Sequence, residues 1–468
     1  MTNRARLEVW DAASCQLVHN AAVEVLERCG VEVRYQPALE LFAAAGARVD
    51  GSRVRISREI VAKALQSAPG SWTVKSRGRS EVIELSDGAG PYYGTGSDCL
   101  YTTEPGTGER RRARVADVEA MASTCEKLPN IDFVMSMGLP EDAPQAIDDL
   151  AQVAAMLKGT RKPLIVAPRD GHVLPQMKRM ASLAGEAESF MIYAMPSPPL
   201  MHDEGALTKV IACAQLDVPL IYCPAPSAGA TAPATLSGGV VSGVAETLSG
   251  LVLHQHVKPG APFVYGAGMA VLDMRSGYDP YVTPESLLGL QACCDVARFY
   301  GLPSFSYAGM SDSKTLDEQW TADAALTMAC CSLSHATLLH DVGYLESGLR
   351  SSHETIVLGN ELVGFMRHFM QPLPVDDESL AVDEICEVGP GGNHLNRALT
   401  RKNHRGFWRT GLFDHQVFDR WEATGAQTMR ERIVAKSAEI QAAPRPFELP
   451  HAVLASFEDI LADLMATR

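Results

Sequence analysis

The sequence predicts a closed (β/α)8 barrel over residues 89–372, preceded by a helical and short-strand extension over 1–88 and followed by a C-terminal loop and helices over 373–468. Three observations predict it. Short apolar runs rich in β-branched and aromatic residues recur through the middle of the chain, each followed by turn residues and a segment of helical period. These runs are apolar throughout rather than alternating, as strands buried on both faces of a parallel sheet must be, because each crossover lays a helix over the sheet. Eight such units fit, and the first βα turn lacks the glycine fingerprint that an open, doubly wound dinucleotide-binding sheet normally carries.

In order, the extension carries an amphipathic helix over 13–29, a second near 58–67 and a strand pair at WTVKS and VIELS. The first barrel strand lies in PYYGTGSD, Pro91 to Asp98; a hairpin through EPGTGE (Glu104 to Glu109) and a helix from near Asp117 follow. The next strands are FVMSM from Phe133, PLIVA from Pro163, FMIYA from Phe190, PLIYC from Pro219, FVYGA from Phe263, SFSYA from Ser304 and TLLHD from Thr337. Helices are expected at 144–158, 175–185, 205–215, 235–257, 284–300 and 316–335, and the last barrel helix at Gly359 to Met370. GAG at Gly266 to Gly268 comes at the sixth strand without a third glycine in register and reads as a tight turn. Beyond an acidic, Pro-rich link come GPGGNHLN (Gly389 to Asn396), the basic and aromatic run RKNHRGFWRTGLFDHQVFDRW and a terminal helix pair.

Composition excludes several classes. With 46% hydrophobic and 21% charged residues the chain is no disordered tail, and it has no run of about 18 uninterrupted apolar residues to cross a membrane. The balance of 41 Lys+Arg against 56 Asp+Glu, a net charge of -15, repels nucleic acid and anionic lipid; the compact basic run Arg110 to Arg114 is too short to override it. MTNRARLEVWDAASCQLVHN lacks the apolar core and cleavage site of a secretory signal. The 11 scattered cysteines, without a CxxC pair, fit buried thiols in a reducing compartment. A cytoplasmic protein without disulfides is expected.

Barrel active sites are built from the loops after the strands. Those positions hold Tyr92, Tyr93 and Asp98; Met135 and Met137; Arg169 and Asp170; Tyr193, Met195 and Ser197; Tyr222 and Cys223; Tyr265 and Met269; Tyr307 with GMSDSK; and HDVGYLESG from His340. The set is poor in acids and bases but rich in tyrosine and methionine. Aromatic faces attract quaternary ammonium by roughly 0.5–2 kcal/mol per ring, so a cation cage is one assignment; tyrosines that merely fill the barrel, with methionine as core filler, are the other. Cys293–Cys294 and Cys330–Cys331 fall within helices, where neighbours diverge by about 100° and cannot close on one ion. His254 and His256 diverge likewise. No metal is required, and a serine nucleophile elbow, a P-loop and an HExxH helix are all absent.

At GMSDSKTLDEQ, at LLHDVGYLESG, and at GPGGNHL leading to FW and FDRW, the chain resembles the trimethylamine methyltransferase family over nearly its whole length. The resemblance implies a barrel enzyme that moves a methyl group from an amine to the Co(I) centre of a separate corrinoid protein. Archaeal amine enzymes of the family carry a pyrrolysine; this chain has none, so it resembles the branch acting on quaternary amines such as glycine betaine, with the residues around Met310 and Ser311 in the corresponding loop. Trimethylamine, another methylated donor, or quaternary-ammonium binding without catalysis are the alternatives. DGHVLP at Asp170 lacks the glycine of a corrinoid-binding DxHxxG, so the corrinoid is expected in trans. It would meet the barrel rim together with the segment around Arg405, Phe407 and Trp408, unless that segment packs the C-terminal helices.

Under this resemblance Tyr93, Tyr193, Tyr265 and Tyr344 are the cage candidates, and His340, Glu346 and Asp312 the catalytic polar groups. Lys314 either binds substrate or neutralises Asp312 or Asp317. Arg169, Arg275 and Arg350 are alternatives for clamping a betaine carboxylate. ALTRKNHRGFW departs from the family pattern, which often has further histidines there. A closed homo-oligomer is expected.

Overall fold

The computed structural model describes residues 5–467. Seven parallel strands follow one another around a ring, from the first (Tyr92–Tyr93) to the eighth (Leu338–His340), seventh (Ser304–Tyr307), sixth (Phe263–Gly266), fifth (Leu220–Tyr222), fourth (Phe190–Ala194) and third (Leu164–Val166). The second strand closes the circle through two isolated parallel bridges, Gly94 to Phe133 and Val134 to Leu164. It is thin because side chains replace part of its ladder. Met135 N donates to Thr95 Oγ1 at 2.8 Å and Tyr93 N donates to the Asp132 carboxylate at 2.7 Å.

The helices between strands are Val115–Glu126, Asp148–Gly159, Leu174–Leu183, Glu204–Leu216, Leu236–Val257, Pro284–Phe299, Glu318–Ser332 and His353–Phe369. Local chemistry sets their starts. Asp203 accepts from Ala206 N at 2.8 Å and Asp317 from Trp320 N at 2.9 Å; such N-caps contribute about 1 kcal/mol each. The last barrel helix begins six residues before the expected Gly359, because Ser352 caps it through Glu354 N. The hairpin after the first strand pairs Tyr101–Thr103 with Arg110–Arg112 and gains a third strand from Arg350–Ser351.

The N-terminal extension shares the barrel's core. Helices Ala12–Arg28, Gln36–Ala44 and Arg58–Ser67 pack on Leu236–Val257, burying Val23, Leu26, Phe42 and Val61 in the same cluster as the barrel helices. Leu236–Val257 is long and apolar enough to cross a membrane, but its apolar surface is covered by this extension and by the barrel. Short strand Val31–Val33 pairs in parallel with Met201–His202, beyond the fourth barrel strand.

The strand pair Ser71–Lys75 and Val82–Ser86 stoppers the barrel at the N-terminal ends of its strands. Its Val74, Ile83 and Leu85 form one cluster with the inward side chains Phe133, Ile165, Met191, Ile221, Val264, Phe305 and Leu338. Lys75 N donates to Glu188 O at 3.1 Å and Arg77 N to Arg161 O at 2.8 Å, tying the hairpin to the residues that enter the strands.

Past the last barrel helix come Asp377–Leu380, Val382–Val388, Ala398–Asn403 and Phe418–Ala423, none of which buries a residue. Helices Met429–Ala442 and His451–Thr467 return to the body, burying Ile433, Ile440, Phe457 and Ile460. Since Leu85 is fully buried at the base of the interior, Leu85→Ala is expected to lower unfolding free energy by about 2–5 kcal/mol, read as a fall in urea midpoint with the native circular-dichroism spectrum retained.

Candidate active site

Side chains alternate along a strand, so parity decides which residues see the barrel interior. Met191 and Tyr193 face inward on the fourth strand, Ile221 and Cys223 at the fifth, Val264 on the sixth and Phe305 on the seventh. The same parity turns Tyr307 and His340 into a cavity of about 270 Å³ at the C-terminal ends of the strands. His340 forms its floor, stacked on Phe305 with ring centroids 4.0 Å apart and planes 14° apart. Tyr307 stands edge-on to His340 at 4.8 Å and stacks on Tyr281 at 6.3 Å; Tyr193 lies 5.9 Å from His340. Tyr344 completes the wall, its hydroxyl donating to Ser97 O. Met195 and Leu349 line the mouth and are exposed.

Two close approaches shape these walls. A Cβ at Gly96 would overlap the Tyr344 ring, and one at Gly268 would stand 2.9 Å from the Tyr307 hydroxyl. The loops themselves hold non-glycine residues at positive φ, Asp98 at 59°, Asp341 at 70°, Glu346 at 53° and Ser347 at 54°, a cost of order 1–3 kcal/mol each that surrounding structure must sustain.

Electrostatically the cavity is aromatic and acidic. Burial pushes the phenols of Tyr193, Tyr281, Tyr307 and Tyr344 up, so all four stay neutral. Asp98 stands exposed at the mouth of the cavity, where desolvation of its carboxyl pushes it up to about 6 against the hydrogen bond from Ser97 Oγ. His340 Nδ1 lies 2.6 Å from Asp341 Oδ1 but out of hydrogen-bond alignment. Both imidazole nitrogens and that carboxylate oxygen are thus buried without a directed partner, which marks them as groups for a ligand. Among the described residues no Lys or Arg lines the cavity, and no three of His, Cys, Asp or Glu converge on a metal position.

Of the sequence candidates, the structure brings together Tyr193, Tyr344 and His340. Tyr93 and Tyr265 have the opposite parity and face the helices: the Tyr93 hydroxyl donates to Ser332 Oγ at 2.9 Å, and Tyr265 packs 6.2 Å from the Tyr300 ring. Both are corrected from cage to helix packing. Asp312 and Glu346 stand behind the wall instead of lining it. Asp312 accepts from Tyr281 N and Val282 N, each at 2.9 Å, and from Ser347 Oγ at 2.6 Å, fixing the loop that carries Tyr281. Glu346 accepts two bonds from Arg110, Nε at 2.9 Å and a terminal nitrogen at 2.8 Å. Lys314 is exposed and donates to the Asp312 backbone oxygen at 2.8 Å, not to a carboxylate or into the cavity.

The arginine candidates are spent elsewhere. Arg350 donates to Thr103 Oγ1, Lys314 O and Gly108 O at 2.8–2.9 Å, Arg169 pairs with Asp148, and Arg275 sits on an exposed turn. Trp408 seats on the barrel flank, 5.2 Å from the Phe365 ring. Sequence reasoning missed Tyr281, whose signal was an aromatic between prolines in the loop after the sixth strand; Tyr307, Asp98 and Asp341 lay at strand ends but were not singled out.

Known proteins resemble the chain over nearly its whole length. The family model for trimethylamine methyltransferase matches residues 1–467. The chain is 31% identical over 438 residues to the glycine betaine methyltransferase of Desulfitobacterium hafniense strain Y51, covering 91% of each. It is 27% identical over 455 residues to a trimethylamine methyltransferase of Desulfitobacterium hafniense strain DSM 10664 / DCB-2, covering 95% of this chain and 92% of that one. The crystal structure of the Methanosarcina barkeri monomethylamine methyltransferase shares the fold, with a TM-score of 0.50 and 12% identity over 99% of this chain and 96% of that one. A barrel with a tyrosine-walled cavity at its strand ends, matched by the family model from end to end, leads to one conclusion: the chain belongs to the trimethylamine methyltransferase family.

Proposed function

We propose that this methyltransferase moves a methyl group from a small quaternary ammonium, glycine betaine or a related betaine, to the Co(I) centre of a separate corrinoid protein. The observation that carries the proposal is the cavity itself: Tyr193, Tyr281, Tyr307 and Tyr344 surround a volume whose floor is His340, with Nδ1 beside Asp341 and Nε2 buried without a hydrogen-bond partner. Rings so arranged attract a cationic nitrogen by roughly 0.5–2 kcal/mol apiece, more as water is excluded. Relatives named for glycine betaine and trimethylamine support the donor class.

When the N–C bond of a quaternary ammonium breaks, its electron pair stays on nitrogen and a neutral tertiary amine departs. No proton has to reach the leaving group, which suits a cavity whose phenols remain protonated. Under this proposal the tyrosines hold and desolvate the ammonium, while His340 meets the polar arm of the donor. Asp312 and Glu346 act as positioning residues for the 281 and 345–350 loops. The corrinoid, when its protein docks, supplies a strongly nucleophilic metal. Fit for that partner rests on the exposed apolar rim, with Met195 and Leu349 at the mouth and Met274 and Tyr278 on the neighbouring turn.

One observation favours a second reading, a cationic donor without a carboxylate: Asp98 and Asp341 face the cavity and no basic side chain there offsets them. Following methylation of Co(I) cobalamin by absorbance with glycine betaine, choline and trimethylamine decides. Turnover of glycine betaine is expected; choline alone selects the second reading, and binding without any turnover overturns both.

Because the Asp98 carboxyl is raised to about 6, it is neutral below that pH and anionic above it. Affinity for a quaternary ammonium, measured by calorimetric titration, is therefore expected to rise through this range, and Asp98→Asn to abolish the step and weaken binding at neutral pH by about 10-fold. Gly96→Ala should drive the Tyr344 ring from the wall and cost at least about 10-fold in affinity, about one ring's worth, with the circular-dichroism spectrum unchanged.

A further inference from the structure

The polar groups of the cavity are sorted by depth. His340 and Asp341 lie at its base, 4% and 2% exposed, whereas Asp98 stands exposed at the mouth. The other titratable side chains around the imidazole are neutral. Tyr193 faces it from the fourth strand at 5.9 Å and Tyr307 from the seventh at 4.8 Å, with Tyr281 and Tyr344 on the loops after the sixth and eighth. Burial pushes all four phenols up. It does the same to two thiols within electrostatic reach of Asp341, Cys223 past the fifth strand and Cys99 past the first. Inward side chains of the second, third and sixth strands are apolar. Asp341 is therefore the one acid beside the imidazole, its Oδ1 2.6 Å from Nδ1.

A betaine brings two opposite charges into this space. The rings and the Asp98 carboxylate suit its ammonium, but its own carboxylate meets no Lys or Arg among the described residues of the lining. A buried anion without a partner is costly. Of the side chains that line the cavity, only His340 can become a cation near neutral pH. A neutral imidazole carries one N–H and cannot donate both to Asp341 and to a ligand; an imidazolium carries two. Carboxylates on both sides of the ring favour that charged form. Resting on the betaine assignment of the cavity, we propose that His340 receives the donor's carboxylate as an imidazolium formed on binding, with Asp341 as its positioning residue. One proton passes from solvent to the ring, so that Nδ1–H donates to Asp341 and Nε2–H to the ligand, and no bond of the donor changes. The three buried atoms that lack directed partners, both ring nitrogens and Asp341 Oδ1, are satisfied in that one step. The donor then lies with its carboxylate inward and its methyl groups toward the mouth, the end open to a methyl acceptor.

Calorimetric titration of the full-length protein in buffers of different ionisation enthalpy counts the protons bound with each ligand. A series from about pH 7.5 to about 9.5 lies above the Asp98 carboxyl at about 6, which stays ionised throughout and contributes nothing. Glycine betaine is expected to take up about one proton, and its affinity to fall by up to about 10-fold per pH unit as pH rises. Choline, an ammonium of the same kind without the carboxylate, is expected to take up none and to bind with level affinity. His340→Gln, which keeps an N–H donor, should abolish the uptake and weaken glycine betaine by about 10-fold or more, and Asp341→Asn should move the uptake to lower pH. Glycine betaine bound without uptake at any pH, equal uptake with choline, or uptake that survives His340→Gln would overturn the proposal and leave the betaine assignment standing. Glycine betaine that does not bind at all removes both.

Discussion

A closed ring of eight parallel strands admits only alternate side chains to its interior, and that restriction governs the rest of the molecule. The inward set is layered. Val74, Ile83 and Leu85 of the hairpin lie lowest, the aliphatic strand residues and Phe305 fill the middle, and His340 with its surrounding phenols makes the uppermost layer. Phe305 joins the last two: it belongs to the packed core, and its upper face is the surface on which His340 stacks. The position of the imidazole is thereby inherited from core packing.

Around that layer the loops are held by charge that never enters the cavity. Arg110 with Glu346, Asp312 with the backbone of Tyr281 and Val282, and Arg350 with three acceptors form a polar collar. Its work is to sustain left-handed backbone at Asp341, Glu346 and Ser347. Paired groups form the collar while His340 and Asp341 are left without directed partners inside it, so the unsatisfied polar atoms of the barrel top collect where a donor would sit.

Much of this was legible in the sequence. Eight apolar runs and the helices between them declared the barrel, because double-sided burial leaves near-continuous hydrophobic strands. The N-terminal strand pair was legible as well, though not that it would fill the barrel base. Parity was harder. Tyr193 and Tyr265 both end apolar runs, yet one enters the cavity and the other packs on Tyr300, and a run buried on both faces carries no polar alternation to tell them apart. Charged residues misled for a related reason: Glu346, Asp312, Lys314 and the arginines are the types expected of a site, but their partners come from distant loops that only the fold brings together. Val31–Val33 is three residues long, too short for any pattern, and exists because Met201–His202 offers it an edge.

The hairpin that stoppers the lower end leaves the barrel a single doorway. Under the proposed function, methyl donor and acceptor protein would share that entrance, the small molecule first and the large one closing over it. The demethylated amine would then leave only after the acceptor, which would chain the release of the two products together.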